Sequence, residues 1–176
     1  RVVVFLEPIA LYPMRDLHED KDGLWMRRYP DPSEIIALGE VGVTGMGEDL
    51  AIVTFGNGVY LANRALSRIE AAGIRARIVD LRWLSPLPKE GLTRAVAGCR
   101  NILIVDETRH SGGVAEALMA HFHEASRAQL ARITAEDSFI ATGPAYAATM
   151  PSAEGIAEAA ISLAGKVAKN RARGQA

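Results

Sequence analysis

The chain has 176 residues, 49% hydrophobic and 23% charged, with a formal net charge of −1 at pH 7. That is room for one domain with a real core, so a disordered chain is excluded. The near-neutral balance leaves no electrostatic case for nucleic acid or an anionic membrane as partner.

The single Cys99 rules out an internal disulfide framework and fits a reducing, cytoplasmic setting. It closes an apolar helical pattern and reads as a buried, inert thiol. No apolar run approaches a membrane span, and the first residues resemble no signal peptide. The chain opens at Arg1, without Met, straight into an apolar run, which reads as a piece of something larger.

In chain order, Val2 to Leu6 predicts a buried strand that Glu7-Pro8 ends. A long polar connector follows, with Pro13, Pro30, Pro32, Gly23 and an acidic cluster of Asp16, Glu19, Asp20 and Asp22. A connector after one isolated strand assigns that strand to a preceding domain. Ile35 to Val43 predicts an irregular strand or hairpin arm, broken by Gly39 and Gly42. From there strands and helices alternate. Strands are expected over Ala51–Phe55, Ala76–Leu81, Ile102–Val105 and Leu130–Thr134. Helices carry apolar faces of Ala62, Ala65, Leu66 and Ile69, of Leu92 and Val96, of Val114, Leu118 and Phe122, and of Ile156, Ala160, Leu163 and Val167. The tail from Lys166 to Ala176 is basic and expected to fray.

This alternation predicts an α/β fold: three layers, doubly wound, around a mostly parallel sheet of about five strands. Right-handed crossovers bring the carboxyl ends of the strands to one edge. Gly56-Asn57-Gly58, Asp80-Leu81-Arg82 and the stretch from Asp106 to Gly113 should therefore converge.

Each piece has two readings. Gly56-x-Gly58 opens a helix after a strand, and Asp80 ends the next strand, which half-matches a dinucleotide fingerprint. Leu61 stands where the third glycine belongs, so a tight strand-to-helix turn is the competing explanation. Asp80 and Arg82, two apart, share a side of an extended chain and read as an ion pair at the strand end, or as a partner-binding charge. Asp106, Glu107, Arg109 and His110 form the densest titratable set. Paired carboxylates beside a histidine could exchange protons. No nucleophile is arranged with them except Ser111, which lacks a nucleophile-elbow context. The alternative is a strand end whose carboxylates satisfy backbone donors, with Gly112 and Gly113 turning the chain. Metal binding is poorly supported. His121 and His123 lie on opposite sides of a helix, and Tyr29 stands where a calcium loop starting at His18 would need its glutamate.

In order, Ala51–Gly56, Gly73-Ile74, Val79–Leu87 (VDLRWLSPL), Ile104–Glu107, Gly112-Gly113 with Glu116, and Met150-Pro151-Ser152 resemble one family. The chain is similar to the C-terminal domain of the β chain of thiamine-diphosphate-dependent 2-oxo acid dehydrogenases, pyruvate or branched-chain type, within the wider transketolase C-terminal family. Val3–Pro8 with Leu11-Tyr12 resembles the last strand and exit of the preceding pyrimidine-binding domain. On that resemblance residues 1–34 are the end of that domain plus a linker, and residues 35–176 are the transketolase C-terminal-like domain.

The resemblance implies oxidative decarboxylation of a 2-oxo acid with acyl transfer to lipoamide in the parent enzyme. Thiamine diphosphate and magnesium would be held by its other domains, and none by this fragment. It carries no catalytic, cofactor-binding or metal-ligating residue over to this chain. It implies instead that a strand-end cluster of Gly56, Asn57, Asp80, Arg82, Asp106, Glu107, Arg109, His110, Gly112 and Gly113 serves interfaces. The partners it implies are the α and pyrimidine-binding parts, in a homo-oligomer or heterotetramer, and a dihydrolipoyl acyltransferase.

Two features depart from the family pattern. Asp137–Pro144 replaces a proline-richer Asp-x-Pro-x-Pro stretch, and the acidic connector is longer than usual; both would suit a branch with fused α and β parts. The same domain of a transketolase or deoxyxylulose phosphate synthase is the neighbouring alternative. A stand-alone dinucleotide-binding module is the alternative of another class.

Overall fold

The apolar runs and amphipathic stretches assemble as a five-stranded sheet with helices on both faces, in a computed structural model that describes residues 2–174, with side chains to 165. The strands are β1 (Gly42–Thr44), β2 (Leu50–Thr54), β3 (Ala76–Asp80), β4 (Asn101–Arg109) and β5 (Gln129–Ala135). The helices are α1 (Asn57–Ala71), α2 (Lys89–Ala95), α3 (Val114–Ala125) and α4 (Ala153–Gly174). The strand order is β1-β3-β2-β4-β5, parallel throughout except for β1, which pairs antiparallel with β3. The α/β, doubly wound expectation holds.

Alternation along the strands sorts two cores. Leu50, Ile52, Ile78, Leu103 and Val105 face α1 and α4, against Ala65, Ile69, Ile156 and Leu163. Ala51, Val53, Val79, Ile102 and Ile104 face α2 and α3, against Leu92, Leu118 and Phe122. Because β2 is central, the chain leaves it for α1 on one face, while β4 leads to α3 on the other. The crevice where adjacent connections part to opposite faces is where α/β folds place ligands and contacts.

Three expectations need correction. Val2–Leu6 forms no strand: each residue is at least 68% exposed, and no described strand lies beside it to complete a ladder. The arm over Ile35–Val43 shrinks to the three residues of β1, since Gly39 turns the chain at φ 91°. The third predicted strand is longer than Ile102–Val105. β4 runs to Arg109, because β5 continues to pair with it past Asp106. Val167 and the tail lie beyond the described side chains.

The connector is not simply a solvated charge run. Its Trp25 meets Tyr60 of α1 edge to face, with ring centres 5.0 Å apart. The Tyr60 hydroxyl donates to the Asp16 carbonyl at 3.1 Å. Among the described residues no helix is long and apolar enough to cross a membrane.

Candidate functional site at the carboxyl edge of the sheet

Gly56 opens α1 at φ 55°, a left-handed value that suits glycine, and Pro8 lies against it, 3.3 Å from where a Cβ would sit. Gly58, in the first turn of α1, permits contact with Thr54. A Cβ there would lie 2.0 Å from the Thr54 Oγ1. The helix therefore packs closely on β2 through Gly58, so a glycine at position 61 is not needed for that approach. The Thr54 hydroxyl is buried and has no hydrogen-bond partner among the described residues.

β4 reaches the same edge through an irregularity. Asp106 pairs with Thr134 and Arg109 with Ala135, so Glu107 and Thr108 are extra residues in the ladder. Such a bulge re-aims side chains. Asp106, 1% exposed, turns into the α3 corner. Its two oxygens accept from the Thr108 N–H at 2.8 Å and the Ala115 N–H at 2.7 Å. The second bond satisfies one of the orphan donors in the first turn of α3. Gly113 leaves room for this: a Cβ there would fall 2.4 Å from the Thr108 Oγ1 and 3.0 Å from the Asp106 Oδ2. Glu107 points to the opposite face and accepts from the Asn57 Nδ2 at 2.6 Å. Burial raises its pKa, the Asn57 bond opposes that, and the neighbouring Asp106 charge adds to the rise.

Asp80 and Arg82 sit across β2. Arg82 adopts φ 55°, and the Trp83 N–H closes a tight turn onto the Leu81 carbonyl. The chain is thus no longer extended at Arg82, contrary to the expectation. The pair survives only at 4.0 Å between Nε and Oδ2, with the guanidinium lying over Gly42. Burial raises the Asp80 pKa, opposed by the Arg82 N–H and charge. No polar contact joins this pair to the Asp106–Gly113 loop among the described residues, so the predicted cluster divides in two.

Beyond β4, the His110 ring bridges to the edge strand. Its Nε2 lies 2.8 Å from the Arg132 Nη2 and its Nδ1 lies 3.1 Å from the Thr134 Oγ1. Ser111 donates to the Asp137 carboxylate from N–H and hydroxyl, at 2.9 and 2.6 Å. The Ser111 hydroxyl bond is the main cause holding the Asp137 pKa low. Arg132, Thr134 and Asp137 were not singled out as site residues from the sequence. Only their place at the carboxyl end of the last strand could have signalled them. Arg109 and Gly112 are exposed.

What this edge can do chemically is limited by its own bonds. Asp106 is committed to backbone donors, Glu107 to Asn57, and Ser111 to Asp137, whose lowered pKa makes it a poor acceptor of the serine proton. Among the described residues no three His, Cys, Asp or Glu side chains converge as metal ligands. The carboxylates described at this edge are spent on the domain's own donors and do not converge on one point as magnesium ligands would. Cys99 packs against the Gly47 carbonyl, and burial raises its pKa, so it is no ready nucleophile.

Residues 39–156 match the family model described as transketolase, C-terminal domain. The chain belongs to that family. Among relatives of the domain, the pyruvate dehydrogenase E1 component subunit beta of Bacillus subtilis is 28% identical over 162 residues, which is 90% of this chain and 47% of that protein. The 2-oxoisovalerate dehydrogenase subunit beta of the same organism is 32% identical over 95 residues, 54% of this chain and 29% of that protein. The chain thus spans about half the length, or less, of these relatives. A solved split-gene transketolase, an inactive beta4 tetramer, superposes with a TM-score of 0.68 at 22% identity, covering 79% of this chain and 46% of that one. That likeness shows the fold alone.

Proposed function

We propose that the chain is the non-catalytic C-terminal domain of a β part of a thiamine-diphosphate-dependent 2-oxo acid dehydrogenase. Its task is subunit assembly and docking of the dihydrolipoyl acyltransferase. The cofactor, its magnesium and the reacting residues lie in the α and pyrimidine-binding parts of the parent enzyme. Residues 1–34 are the end of the preceding domain with its linker, and 35–176 the domain itself.

The observation that carries this proposal is the similarity to a pyruvate dehydrogenase β subunit along 90% of the chain. The edge chemistry supports it, since Asp106, Glu107 and Asp137 are each engaged within the domain. Its surface supports it too. The loop after β5 leaves Phe139 fully exposed, with Ile140 and Tyr146 more than half exposed. Aromatic and aliphatic groups left bare together mark contact surfaces.

The test is turnover of the parent enzyme with thiamine diphosphate, magnesium and a panel of 2-oxo acids, using first an artificial electron acceptor and then the lipoyl acyltransferase. Turnover of pyruvate or a branched-chain oxo acid in both assays is expected. Ketol transfer from a sugar phosphate with no oxo acid oxidation would overturn the proposal.

A further inference from the structure

The connector between the N-terminal segment and the sheet holds an unusually dense set of backbone-to-carboxylate bonds. The two Asp22 oxygens accept N–H bonds from Leu17, His18, Glu19 and Leu24, at 2.9, 2.7, 2.9 and 2.9 Å. Asp16 accepts from Lys21 and Gly23 at 2.9 and 2.8 Å. The Trp25 N–H closes the base of the loop onto the Arg15 carbonyl at 3.0 Å.

The loop carries a conformational cost. Lys21 stands at φ 66°, where a side chain is disfavoured, and Gly23 at φ 61°. A free connector would relax such a residue. Lys21 keeps that conformation while its own N–H is held by Asp16.

The loop is also pinned to the domain. Trp25 packs on Tyr60, and the Tyr60 hydroxyl is bonded to the Asp16 carbonyl. The Arg64 guanidinium stacks over Tyr60 from α1, 5.9 Å from its centre. Two further points fix the flanks. Pro8 rests on Gly56 upstream, and downstream the Trp83 indole donates to the Ala37 carbonyl at 3.0 Å. A linker meant to let two bodies move would have none of these bonds.

We propose that residues 15–26 form a clasp, closed by Asp16 and Asp22 and seated on Tyr60, that makes the connector a rigid strut. Asp22 is then a positioning residue: it fixes where the segment before the connector stands relative to α1. Resting on the proposed function only for its consequence, the clasp sets how the preceding domain is held against this one.

The test uses the full-length β part assembled with its partners, spin-labelled at Ile9→Cys in the segment and Ser67→Cys on the exposed face of α1. Dipolar distance measurement should give one narrow distribution. Asp22→Ala and, separately, Trp25→Ala should each broaden it at least twofold. Tryptic cleavage at Arg15, Lys21 and Arg27 should accelerate by tenfold or more, while the thermal midpoint of the sheet domain stays within a few degrees. A broad distribution in the unsubstituted protein would overturn the clasp, and so would variants that stay as narrow and as resistant as the parent. These readouts do not depend on oxo acid turnover, so failure of the proposed function would be seen separately.

Discussion

The Asn57 amide, in the first residue of α1, donates to the Glu107 carboxylate at the end of β4, 2.6 Å away. The bond ties the central strand's helix to the neighbouring strand across the crevice where the two connections part. In many α/β folds a ligand occupies that place; here a hydrogen bond within the domain spans it, and Pro8 lies against Gly56 at the head of α1.

The burial of Glu107 beside that bond makes stability depend on pH. Burial raises the Glu107 pKa above its ordinary 4.5, so the folded state binds the proton more tightly than the unfolded state. The contribution is complete below pH 4.5 and is lost as pH rises through the folded value. Glu107→Gln removes the titration and keeps an oxygen for Asn57. Its stability relative to the parent should therefore improve with rising pH in urea denaturation between pH 4.5 and 8. A parent that gains on the variant over that range would show the opposite sign. Asp80, whose pKa is also raised, stays in both proteins and cancels in the difference.

Gly58 and Thr54 form a coupled pair. Gly58→Ala drives a methyl into the Thr54 Oγ1 and should cost about 1–3 kcal/mol, the usual range for overpacking. Thr54→Ala removes the obstructing hydroxyl, which has no partner among the described residues to lose. The double variant should recover most of the loss, giving a coupling of at least about 1 kcal/mol in a double-mutant cycle. Additive losses would mean that the helix is held away from β2 by something other than this contact.

Asp106→Ala leaves two N–H groups, Thr108 and Ala115, without their acceptor in a buried corner. The expected loss is about 2–4 kcal/mol, at roughly 1–3 kcal/mol for each unsatisfied buried group, reduced where water can enter. Differential scanning calorimetry should show the midpoint falling by roughly 4–16 °C for a chain of this size. A fall of less than 2 °C would mean that the corner does not depend on Asp106.

Ser111→Ala removes the hydroxyl bond that ties the β4–α3 loop to Asp137. The segment from Glu136 to Thr149, then held only by the Ser111 N–H bond to Asp137 and one backbone bond at its base, should become several-fold more open to chymotrypsin at Phe139 and Tyr146. Unchanged cleavage rates would show that the remaining N–H bonds suffice.

Much of the fold was legible because hydrophobic period and turn chemistry agreed from Leu50 onward. Gly73 ends α1 at φ 77°, and the central strand β2 is a short apolar run buried on both faces. Val2–Leu6 misled for a physical reason: apolar and β-branched residues state a tendency to pair, but pairing needs a neighbour that the described chain does not contain. The site was half legible. The meeting of Gly56-Asn57 with Glu107 follows from strand order, and strand alternation puts Asp106 and Glu107 on opposite faces, whereas the irregularity between Asp106 and Arg109 has no signature in Asp-Glu-Thr-Arg. The bonds of Ser111 to Asp137 and of His110 to Arg132 join residues 22 to 26 positions apart, which no local pattern encodes. The acidic connector resembled a solvated charge run because its cage is made by backbone N–H groups, whose directions depend on the folded turn.

On the proposed function, this domain shapes contacts and leaves the reaction to the rest of the enzyme. The most direct test is oxo acid turnover per intact oligomer, with an artificial acceptor, in the parent enzyme and in its Asp106→Ala and Glu107→Ala variants. Turnover per assembled enzyme should remain within about twofold of the parent, a barrier change of roughly 0.4 kcal/mol, even where less enzyme assembles or it melts earlier. A variant that keeps its oligomer and its melting temperature but no longer decarboxylates would contradict the claim and make the strand-end carboxylates part of the chemistry.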